Sequence, residues 1–505
     1  MKTRLILGWL TLLSMPAVAG PPAHLVKDIR PGFAGSDPVR MTDASGTLVF
    51  GLDGGGAYTP LWTSDGTAAG TVEMVPYVRM VGSFVPVGGK LFFSHYTDDG
   101  EYIEPDDWPQ PWVTDGTAEG TRALSETGAF RFVPVGGDVL FSGRAEGTGV
   151  EPWTSDGTPA GTALVLDLAP GPSDGLMGLG TVGDLGLLWV RGMLWTSDGT
   201  SAGTRPLVRI RPESDLAPAP AFVPAGAITY FLVRSDGGNS LWRTDGTVAG
   251  TFALDPLLEG PLAFFYAVAV GDTLFTMFTE DAFHYTLWKT DAAGTTLVPV
   301  RDGIDTQAVY PLPLAAAGRT LFFSAFDDEH GLELWKSDGT AEDTGLLRDI
   351  APGVENSCPK ALTEIDGVLL FAASDGVHGV ELWRSDGTEG GTLLVQDVAP
   401  GSGSSNPAGF QVSGPRVFFS ADDGVHGREL WAGWRGILTG QPRRALLDLR
   451  EMLESLDLSR GAEVRLLSKV DGASAALERG DSAGAARMLD TFTRTLSALR
   501  NTQVP

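Results

Sequence analysis

Short runs of apolar residues, separated by turns rich in glycine and aspartate, occupy most of the chain. The run Arg416–Ala421 is almost wholly apolar, which predicts a strand covered on both faces of its sheet. A weak first strand is predicted beside it at Ala408–Val412, the third strand begins with Arg428–Trp431, and a fourth is predicted at Thr392–Val398 of the preceding repeat. These repeats contain no stretch with apolar residues at helical spacing, so the sequence predicts an all-β region with four strands per repeat.

A tryptophan marks the third strand of every repeat. The shortest spacing separates Trp112 from Trp153, and the longest separates Trp62 from Trp112. A repeat of roughly 40–50 residues with four strands is typical of the blades of a β-propeller. The marker tryptophans are Trp62, Trp112, Trp153, Trp195, Trp242, Trp288, Trp335, Trp383 and Trp431.

The two ends of the repeat region complement each other. The last repeat has no fourth strand after Trp431, whereas Leu25–Gly32 resembles the fourth-strand segments Leu346–Gly353 and Leu394–Gly401. We therefore predict a propeller of nine four-stranded units over residues 25–435, in which the N-terminal strand completes the last unit and removes an exposed sheet edge. Eight blades and an open spiral remain alternatives.

An Asp-Gly pair follows the tryptophan strand in most repeats, as at Asp386-Gly387. Glycine adopts positive φ without steric cost, so this pair predicts a tight turn. A Gly-Thr pair usually follows, and we predict that the Asp and Thr side chains bind the backbone of their own turn. The sixth repeat departs from this pattern with Asp291–Thr296.

Residues 441–501 change character and predict a three-helix bundle. Apolar residues occur at helical spacing from Arg443 to Leu456. Ser459 is suited to cap a second helix and Asp481 a third, with Gly480 ending the second. Three such helices are expected to pack antiparallel around a small core of their own.

Residues 1–19 have the pattern of a signal peptide. Lys2 and Arg4 precede a short apolar core, and Ala17-Val-Ala19 suits cleavage. The apolar run is too short to span a membrane comfortably, and no later transmembrane segment is predicted. We expect bacterial export to the cell surface or the medium.

The formal net charge is −27. The segment from Gly436 onward is close to neutral, so almost all of the negative charge lies in the repeats. Such an acidic surface argues against nucleic-acid and anionic-membrane partners and suits cations or basic partners. It also promotes solubility without any partner.

The second repeat carries an insertion, Thr97–Pro109, between its second and third strands. Loops that vary on one rim are where propellers usually bind ligands. The insertion is acidic and contains two aromatic residues, which makes it the first candidate binding loop. Its candidate ligand-binding residues are Tyr102, Trp108, Asp106 and Asp107.

Aspartate and histidine recur together in the last three repeats. They occur in Asp327–Gly331, Asp375–Gly379 and Asp422–Gly427, at one blade position. Calcium is the one candidate cofactor, because it takes oxygen ligands at roughly 2.3–2.6 Å. Adjacent sheets lie ~10 Å apart, so a role in stabilising each loop is favoured over a shared ion. The candidate metal ligands are Asp327, Asp328, Asp375, Asp422 and Asp423.

Catalytic motifs are missing from the sequence. It contains no Gly-x-Ser-x-Gly elbow with a triad, no His-Glu-x-x-His and no phosphate-binding loop. The marker tryptophans could stack on sugars, but one per repeat in a fixed register favours a role in the core. We therefore favour a binding protein over an enzyme.

The segments Glu333–Thr340 and Glu381–Thr388 contain Glu-Leu-Trp-x-x-Asp-Gly-Thr. The repeat region resembles the ELWxxDGT-repeat proteins of secreted bacterial origin, which implies a secreted or surface β-repeat protein. Only Glu151, Glu333, Glu381 and Glu429 keep the marker glutamate, so we expect this residue to decorate an edge. The tail from Leu453 to Phe492 is similar to the FIMAH helical domain, which implies an accessory attachment role.

The leading hypothesis is an extracellular binding or adhesion scaffold, acting as a monomer on a glycan or protein ligand. The alternative is a polysaccharide- or protein-active hydrolase with its site at the propeller axis, and a third possibility is a structural coat component. An enzyme should gather unlike polar residues at the axis, whereas a binder should show repeated or inserted loops at one rim.

Overall fold

The structure is a computed structural model. It describes residues 21–53, 59–76, 78–96, 108–210, 220–235, 238–254, 266–279, 284–307, 313–454 and 459–502. The predicted signal peptide, residues 1–19, lies outside these ranges. Within them the chain is mostly β, and the strands form antiparallel groups of four.

Each group is called a sheet here and is numbered in chain order. The first three sheets are β2 (Pro38–Ala44), β3 (Thr47–Leu52), β4 (Leu61–Ser64) and β5 (Val72–Val75); β6 (Arg79–Val87), β7 (Lys90–Tyr96), β8 (Gln110–Thr114) and β9 (Arg122–Ala123); and β10 (Gly128–Val135), β11 (Asp138–Ala145), β12 (Gly149–Ser155) and β13 (Ala163–Leu164). Sheets 4 and 5 are β14 (Gly178–Val182), β15 (Leu185–Val190), β16 (Met193–Ser197) and β17 (Arg205–Arg209); and β18 (Phe222–Ala225), β19 (Ile228–Ser235), β20 (Gly238–Thr244) and β21 (Phe252–Ala253).

Sheets 6 and 7 are joined by one pairing, between Asp305 and Phe326. They are β22 (Tyr266–Val270), β23 (Thr273–Thr279), β24 (His284–Thr290) and β25 (Leu297–Asp305); and β26 (Leu314–Ala317), β27 (Thr320–Asp327), β28 (Gly331–Ser337) and β29 (Gly345–Arg348). Sheet 8 is β30 (Lys360–Ile365), β31 (Val368–Ser374), β32 (Val380–Ser385) and β33 (Leu393–Gln396).

Sheet 9 contains the two ends of the repeat region. Its strands are β34 (Ala408–Ser413), β35 (Arg416–Asp422), β36 (Arg428–Trp434) and, as the fourth, β1 (Ala23–Lys27). Leu25 pairs with Trp431 and Lys27 with Leu430, which confirms the predicted pairing of the chain ends. The main chain of β36 therefore has a partner along both of its edges.

The sheets follow one another around a ring. The first strand of each sheet lies against the first strand of the next, from β2 to β34, and β34 lies against β2. The second strand of each sheet is largely buried, as its apolar sequence predicts; β35, for example, is buried along all but its last residue. Apolar side chains of neighbouring sheets pack together, as Phe50 and Phe418 do between sheets 1 and 9.

The marker tryptophans belong to this core. Trp335, Trp383 and Trp431 are buried. Trp383 lies opposite Phe371 in the register of sheet 8, with 6.4 Å between ring centroids, and the same pairing recurs in other sheets. Their role in the core follows from this position.

Four helices follow β36 in the part of the chain that the structure describes. They are α1 (Arg435–Leu438), α2 (Pro442–Glu454), α3 (Arg460–Glu478) and α4 (Ser482–Thr502). The last three pack around a shared apolar core that also includes Trp434 of β36. The Arg435 guanidinium binds the Asp366 carboxylate, and Gln441 Nε2 donates to the Asp366 carbonyl over 2.7 Å, which fixes the helices to sheet 8. Among the described helices, none is both long and apolar enough to cross a membrane.

Candidate functional site

The ring has two faces, which are formed by different loops of the chain. The loops between second and third strands lie beside the connectors from each fourth strand to the next sheet. We call this side the connector face. It is held by backbone bonds such as Ser357 N–H to the Leu332 carbonyl (3.1 Å) and Asn406 N–H to the Val380 carbonyl (3.0 Å). The opposite side carries the Asp-Gly turns, the hairpins between first and second strands and the helices, and we call it the turn face.

The marker glutamates anchor connectors on the connector face. Both carboxylate oxygens of Glu381 accept hydrogen bonds: from the Val398 N–H (2.7 Å), the Ser405 N–H (2.9 Å) and the Ser405 hydroxyl (2.6 Å). Glu333 is bound in the same way by Ile350, Ala351 and Ser357. The glutamate thus fixes a connector whose backbone N–H groups have no strand partner.

The prediction that the marker glutamates lie at an edge of the fold was wrong. Glu151, Glu333, Glu381 and Glu429 are all fully buried. Burial raises the pKa of each, and the donated hydrogen bonds oppose that rise. Because their acceptor atoms are occupied by the protein's own backbone, these carboxylates serve the fold.

Glu429 differs from the others because its connector comes from the far end of the chain. The N–H groups of Ile29 and Arg30 donate to its two oxygens over 3.2 and 3.1 Å, and the Ser36 hydroxyl donates as well. The place where the two ends of the repeat region meet, which we call the seam, is therefore held by the β1–β36 ladder and by the buried carboxylate of Glu429.

On the turn face, the Asp-Gly turns bind themselves as the sequence predicts. Asp386 Oδ1 accepts from the Thr388 N–H (3.0 Å) and the Thr388 hydroxyl (2.7 Å). Thr388 Oγ1 in turn accepts from the Gly391 N–H over 2.9 Å. The hydrogen bond from the Thr388 hydroxyl is the main cause that lowers the pKa of Asp386. The same arrangement recurs around Asp65, Asp115, Asp156, Asp198, Asp245 and Asp338.

Cations connect several of these turns to the preceding sheet. Lys336 Nζ of sheet 7 donates to the Gly387 carbonyl of sheet 8 over 2.8 Å, and Lys90 Nζ of sheet 2 donates to the Asp156 carbonyl of sheet 3 over 2.8 Å. Across the seam, Lys27 Nζ donates to the Thr71 carbonyl over 2.7 Å. The turn face therefore uses its polar groups to hold neighbouring sheets together.

The predicted metal residues lie in loops of the connector face. Asp375 Oδ1 accepts from the Val377 and His378 N–H groups over 2.9 and 2.8 Å, and Oδ2 contacts His378 Nδ1 at 2.7 Å. Asp327 and Asp423 make equivalent contacts with His330 and His426.

The two remaining candidate ligands differ from these three. Asp422 accepts from the Gly424 N–H over 2.8 Å, and Asp328 is exposed. Within the described ranges, no three His, Cys, Asp or Glu side chains are gathered closely enough to hold an ion. The geometry of Asp375 and its equivalents is that of a closed turn.

The predicted binding loop is described only at its end. Tyr102, Asp106 and Asp107 lie outside the described residues, whereas Trp108 lies inside them. The Trp108 side chain is 39% exposed and meets Phe130 edge to face, with 5.4 Å between ring centroids. The Pro109 carbonyl accepts from the Ala129 N–H over 2.6 Å, which holds Trp108 close to β10.

An arginine packs on Trp108. The Arg144 guanidinium lies 4.7 Å from the centre of the Trp108 rings, and Arg144 Nη1 pairs with Asp174 Oδ1 at 3.1 Å. Arg191 donates to the Asp174 carbonyl over 3.2 Å and has φ +47°, a rare conformation for a non-glycine residue. Trp108, Phe130 and Arg144 form a cluster that we call the Trp108 platform. Only Trp108 was a sequence candidate, because the arginines come from another repeat.

No protein-family model matches the chain, and no curated protein matches it. The ELWxxDGT and FIMAH resemblances therefore remain predictions. Among solved structures, the chain is similar to a puromycin hydrolase at 16% identity, with TM-score 0.34, over 67% of this chain and 58% of that chain. It is also similar to oligopeptidase B from Leishmania major at 14% identity, with TM-score 0.38, over 58% of this chain and 46% of that one.

A third similar structure is the β-propeller domain of the Trilobed protease from Pyrococcus furiosus, described as having an open velcro topology. It is 12% identical, with TM-score 0.32, over 63% of this chain and 98% of that chain. The chain thus spans little more than half of the hydrolase and less than half of the oligopeptidase.

Proposed function

We propose that the chain is a nine-bladed β-propeller that acts as an exported binding or adhesion scaffold. One observation carries the proposal. The recurring polar groups, namely the marker glutamates and the Asp-Gly turns, bind the backbone of the protein itself. Variation is concentrated in the loops of the connector face. A repeated frame with variable loops on one side is the usual arrangement of a binding propeller.

The hydrolase alternative requires reactive groups at the axis. The innermost strands of the described ring contain no histidine and no cysteine. Their two acidic residues are Asp43 and Glu364, and Asp43 already accepts from the Gly46 N–H and the Ser413 hydroxyl. The contact of the Ser413 hydroxyl with Asp43 is the nearest approach to a nucleophile beside a base, but the same oxygen of Asp43 also accepts from a backbone N–H and no histidine of these strands supports the pair. Binding is therefore favoured over catalysis.

We place the ligand site at the Trp108 platform and the loop that precedes it. An exposed indole can stack on the apolar face of a sugar ring or a side chain, and Arg144 retains N–H groups able to bind hydroxyls or carboxylates. Tyr102, Asp106 and Asp107 stay with this proposal because they belong to the same loop. An extracellular glycan is the ligand tested first, with a protein ligand second.

The test is a glycan array probed with the full chain, followed by titration of any bound glycan. Trp108→Ala should weaken binding by roughly tenfold or more through the loss of a stacked ring. Val298→Ala is the control, because Val298 is an apolar residue with the same 39% exposure and lies in neither proposed binding surface. Equal binding by Trp108→Ala and the wild type would contradict the site, and release of shortened glycan would favour the hydrolase.

Export, surface location and the monomeric state belong to the same proposal. The near-neutral helical segment is fixed to the turn face, so it would attach the scaffold while the connector face stays open to solvent. Fractionation of the expressing cells and sedimentation of the purified chain would test location and mass. Recovery only from the cytoplasm would contradict export.

A further inference from the structure

Exposed apolar side chains are concentrated on one part of the connector face. Six large apolar side chains in the described part of the chain are at least 60% exposed. Four of them lie on the connector side of sheets 7 to 9: Phe33 (84%), Val354 (71%), Val377 (65%) and Val425 (61%). Single exposed apolar residues are ordinary, whereas a group on successive repeats marks an interaction surface. We call these four residues the apolar row.

The structure holds these side chains outward. The N–H of Val377 donates to Asp375 Oδ1 over 2.9 Å, and that of Val425 donates to Asp423 Oδ1 over 2.9 Å, so each valine lies at the tip of a bonded turn. The next residues, His378 and His426, contact the same aspartates, which leaves the valines as the apolar tips. Their display is built by the turn and repeated in adjacent sheets.

Neighbouring loops place the remaining two members in the same row. Phe33 lies in the connector against which the loop of Val425 packs, since a Cβ on Gly427 would meet the Phe33 carbonyl oxygen at 2.7 Å. Val354 lies in the equivalent connector of sheet 7. Sheets pack ~10 Å apart, so members on successive sheets are separated by at least about that distance. A ligand that contacts the whole row must therefore extend across three neighbouring sheets.

The side chains around the apolar row are mainly acidic, which favours a basic ligand. Asp328, Glu329 and Glu355 are exposed beside it, and half-buried aspartates line the same loops. Two nearby cations are engaged within the protein: Lys360 Nζ donates to Asn406 Oδ1 over 2.9 Å, and Arg428 Nη2 donates to the Asn406 carbonyl over 2.7 Å. The row therefore presents apolar groups within an acidic surround.

We propose that the apolar row is a docking surface for a basic amphipathic segment of another protein, with its apolar side chains on the row and its lysines or arginines toward the carboxylates. A helix of about 20 residues is roughly 30 Å long, which is enough to extend from one sheet past the next to the third. This site is independent of the Trp108 platform, which lies at sheets 2 and 3.

The test titrates the full chain with a fluorescent lysine–leucine peptide of about 20 residues whose leucines follow helical spacing. A permuted peptide of the same composition lacks that spacing. The combined variant Val354→Ser, Val377→Ser and Val425→Ser should bind the first peptide at least roughly tenfold more weakly than the wild type. Its melting temperature should stay within about 2 °C of the wild type, because exposed substitutions change stability little.

The matched control is Val72→Ser, Val248→Ser and Val298→Ser, which removes three exposed valines outside the row at unchanged net charge. It should bind as the wild type does. Equal loss in both variants, equal affinity for the permuted peptide, or no binding at low salt would overturn the proposal. Self-association of the wild type that the first variant abolishes would also overturn it, in favour of a second copy of the chain.

Discussion

Glu381 and Asp386 belong to the same short segment of sheet 8, yet they serve opposite faces of the ring. Each accepts hydrogen bonds from backbone N–H groups, Glu381 from a distant connector and Asp386 from its own turn. Glu381 is fully buried and its pKa is raised by burial, whereas Asp386 is exposed and its pKa is lowered by the Thr388 hydroxyl. The same chemistry therefore fixes a variable face through burial and a constant face through local bonding.

The largest change should come from removing a whole connector. Deleting residues 25–32 removes most of β1 and the two backbone N–H groups that donate to Glu429. We expect the free energy of unfolding to fall by more than about 5 kcal/mol, since a strand and a buried carboxylate both lose their partners. Thermal unfolding of this variant against a chain beginning at residue 21 measures the effect. Coincident unfolding curves would contradict a closed ring.

Glu381→Ala should have the next largest effect. It leaves the Val398 and Ser405 N–H groups without their acceptor, and it leaves the Ser405 hydroxyl with only a 3.5 Å contact to the Val380 carbonyl. A loss of roughly 3 kcal/mol is expected, because each buried unpaired donor costs about 1–3 kcal/mol and relaxation recovers part of it. Chemical denaturation provides the value. Glu389→Ala, at an exposed glutamate of the same sheet, should change it by less than about 0.5 kcal/mol.

Asp386→Ala should cost less, about 1–2 kcal/mol, because the turn is exposed and water can replace the lost acceptor. Asp386→Asn keeps an oxygen in the position of Oδ1 and should recover most of the loss. Both values come from the same denaturation experiment. A cost for Asp386→Ala equal to that of Glu381→Ala would remove the distinction between the two faces.

The smallest expected effect is on the pH dependence of stability. Burial raises the pKa of Asp448, which accepts from the Gly436 N–H, to about 6. A carboxyl with a raised native pKa binds more protons when folded, so stability falls as pH rises through the window between its ordinary pKa and about 6. About 1 kcal/mol should be lost between roughly pH 5 and 7, and Asp448→Asn should flatten that slope.

The turn aspartates act in the opposite direction. Their lowered pKa means that they stabilise the fold above the ordinary pKa of aspartate, and this contribution is lost as pH falls through the lower native value. A stability maximum in mildly acidic solution follows from the two trends. Stability that kept rising from there to neutral pH would contradict the assignment of the buried carboxyls.

The repeat, the self-bonded turn and the closing strand could all be predicted from the sequence, because each depends on residues close together or on a segment that recurs. The role of Glu381 could not be read in this way, since its donors lie in an irregular connector well beyond its own strand. A signal was nevertheless present. The four repeats with a marker glutamate are the repeats whose connector contains Asp-x-x-Pro-Gly, as in Asp397–Gly401.

The Trp108 platform was only partly predictable for the same reason. Trp108 stood out as an aromatic residue in an insertion, but Phe130 and Arg144 belong to the following sheet and look unremarkable in sequence. Contacts between sheets depend on how the repeats are placed around the ring. A single repeat therefore predicts its own hairpins and turns well and predicts its neighbours' side chains poorly.

The pairing of β1 with β36 also constrains how the molecule reaches its native state. Leu25 and Trp431 can meet only after the intervening sheets have brought the chain ends together, so the entropic cost of joining them is the largest in the ring. We expect the pairing of β1 with β36 to be the slow step of refolding. Until that pairing forms, one edge of β36 is unpaired and can bind a strand of another molecule. At high concentration, partly folded chains would therefore exchange their first strands.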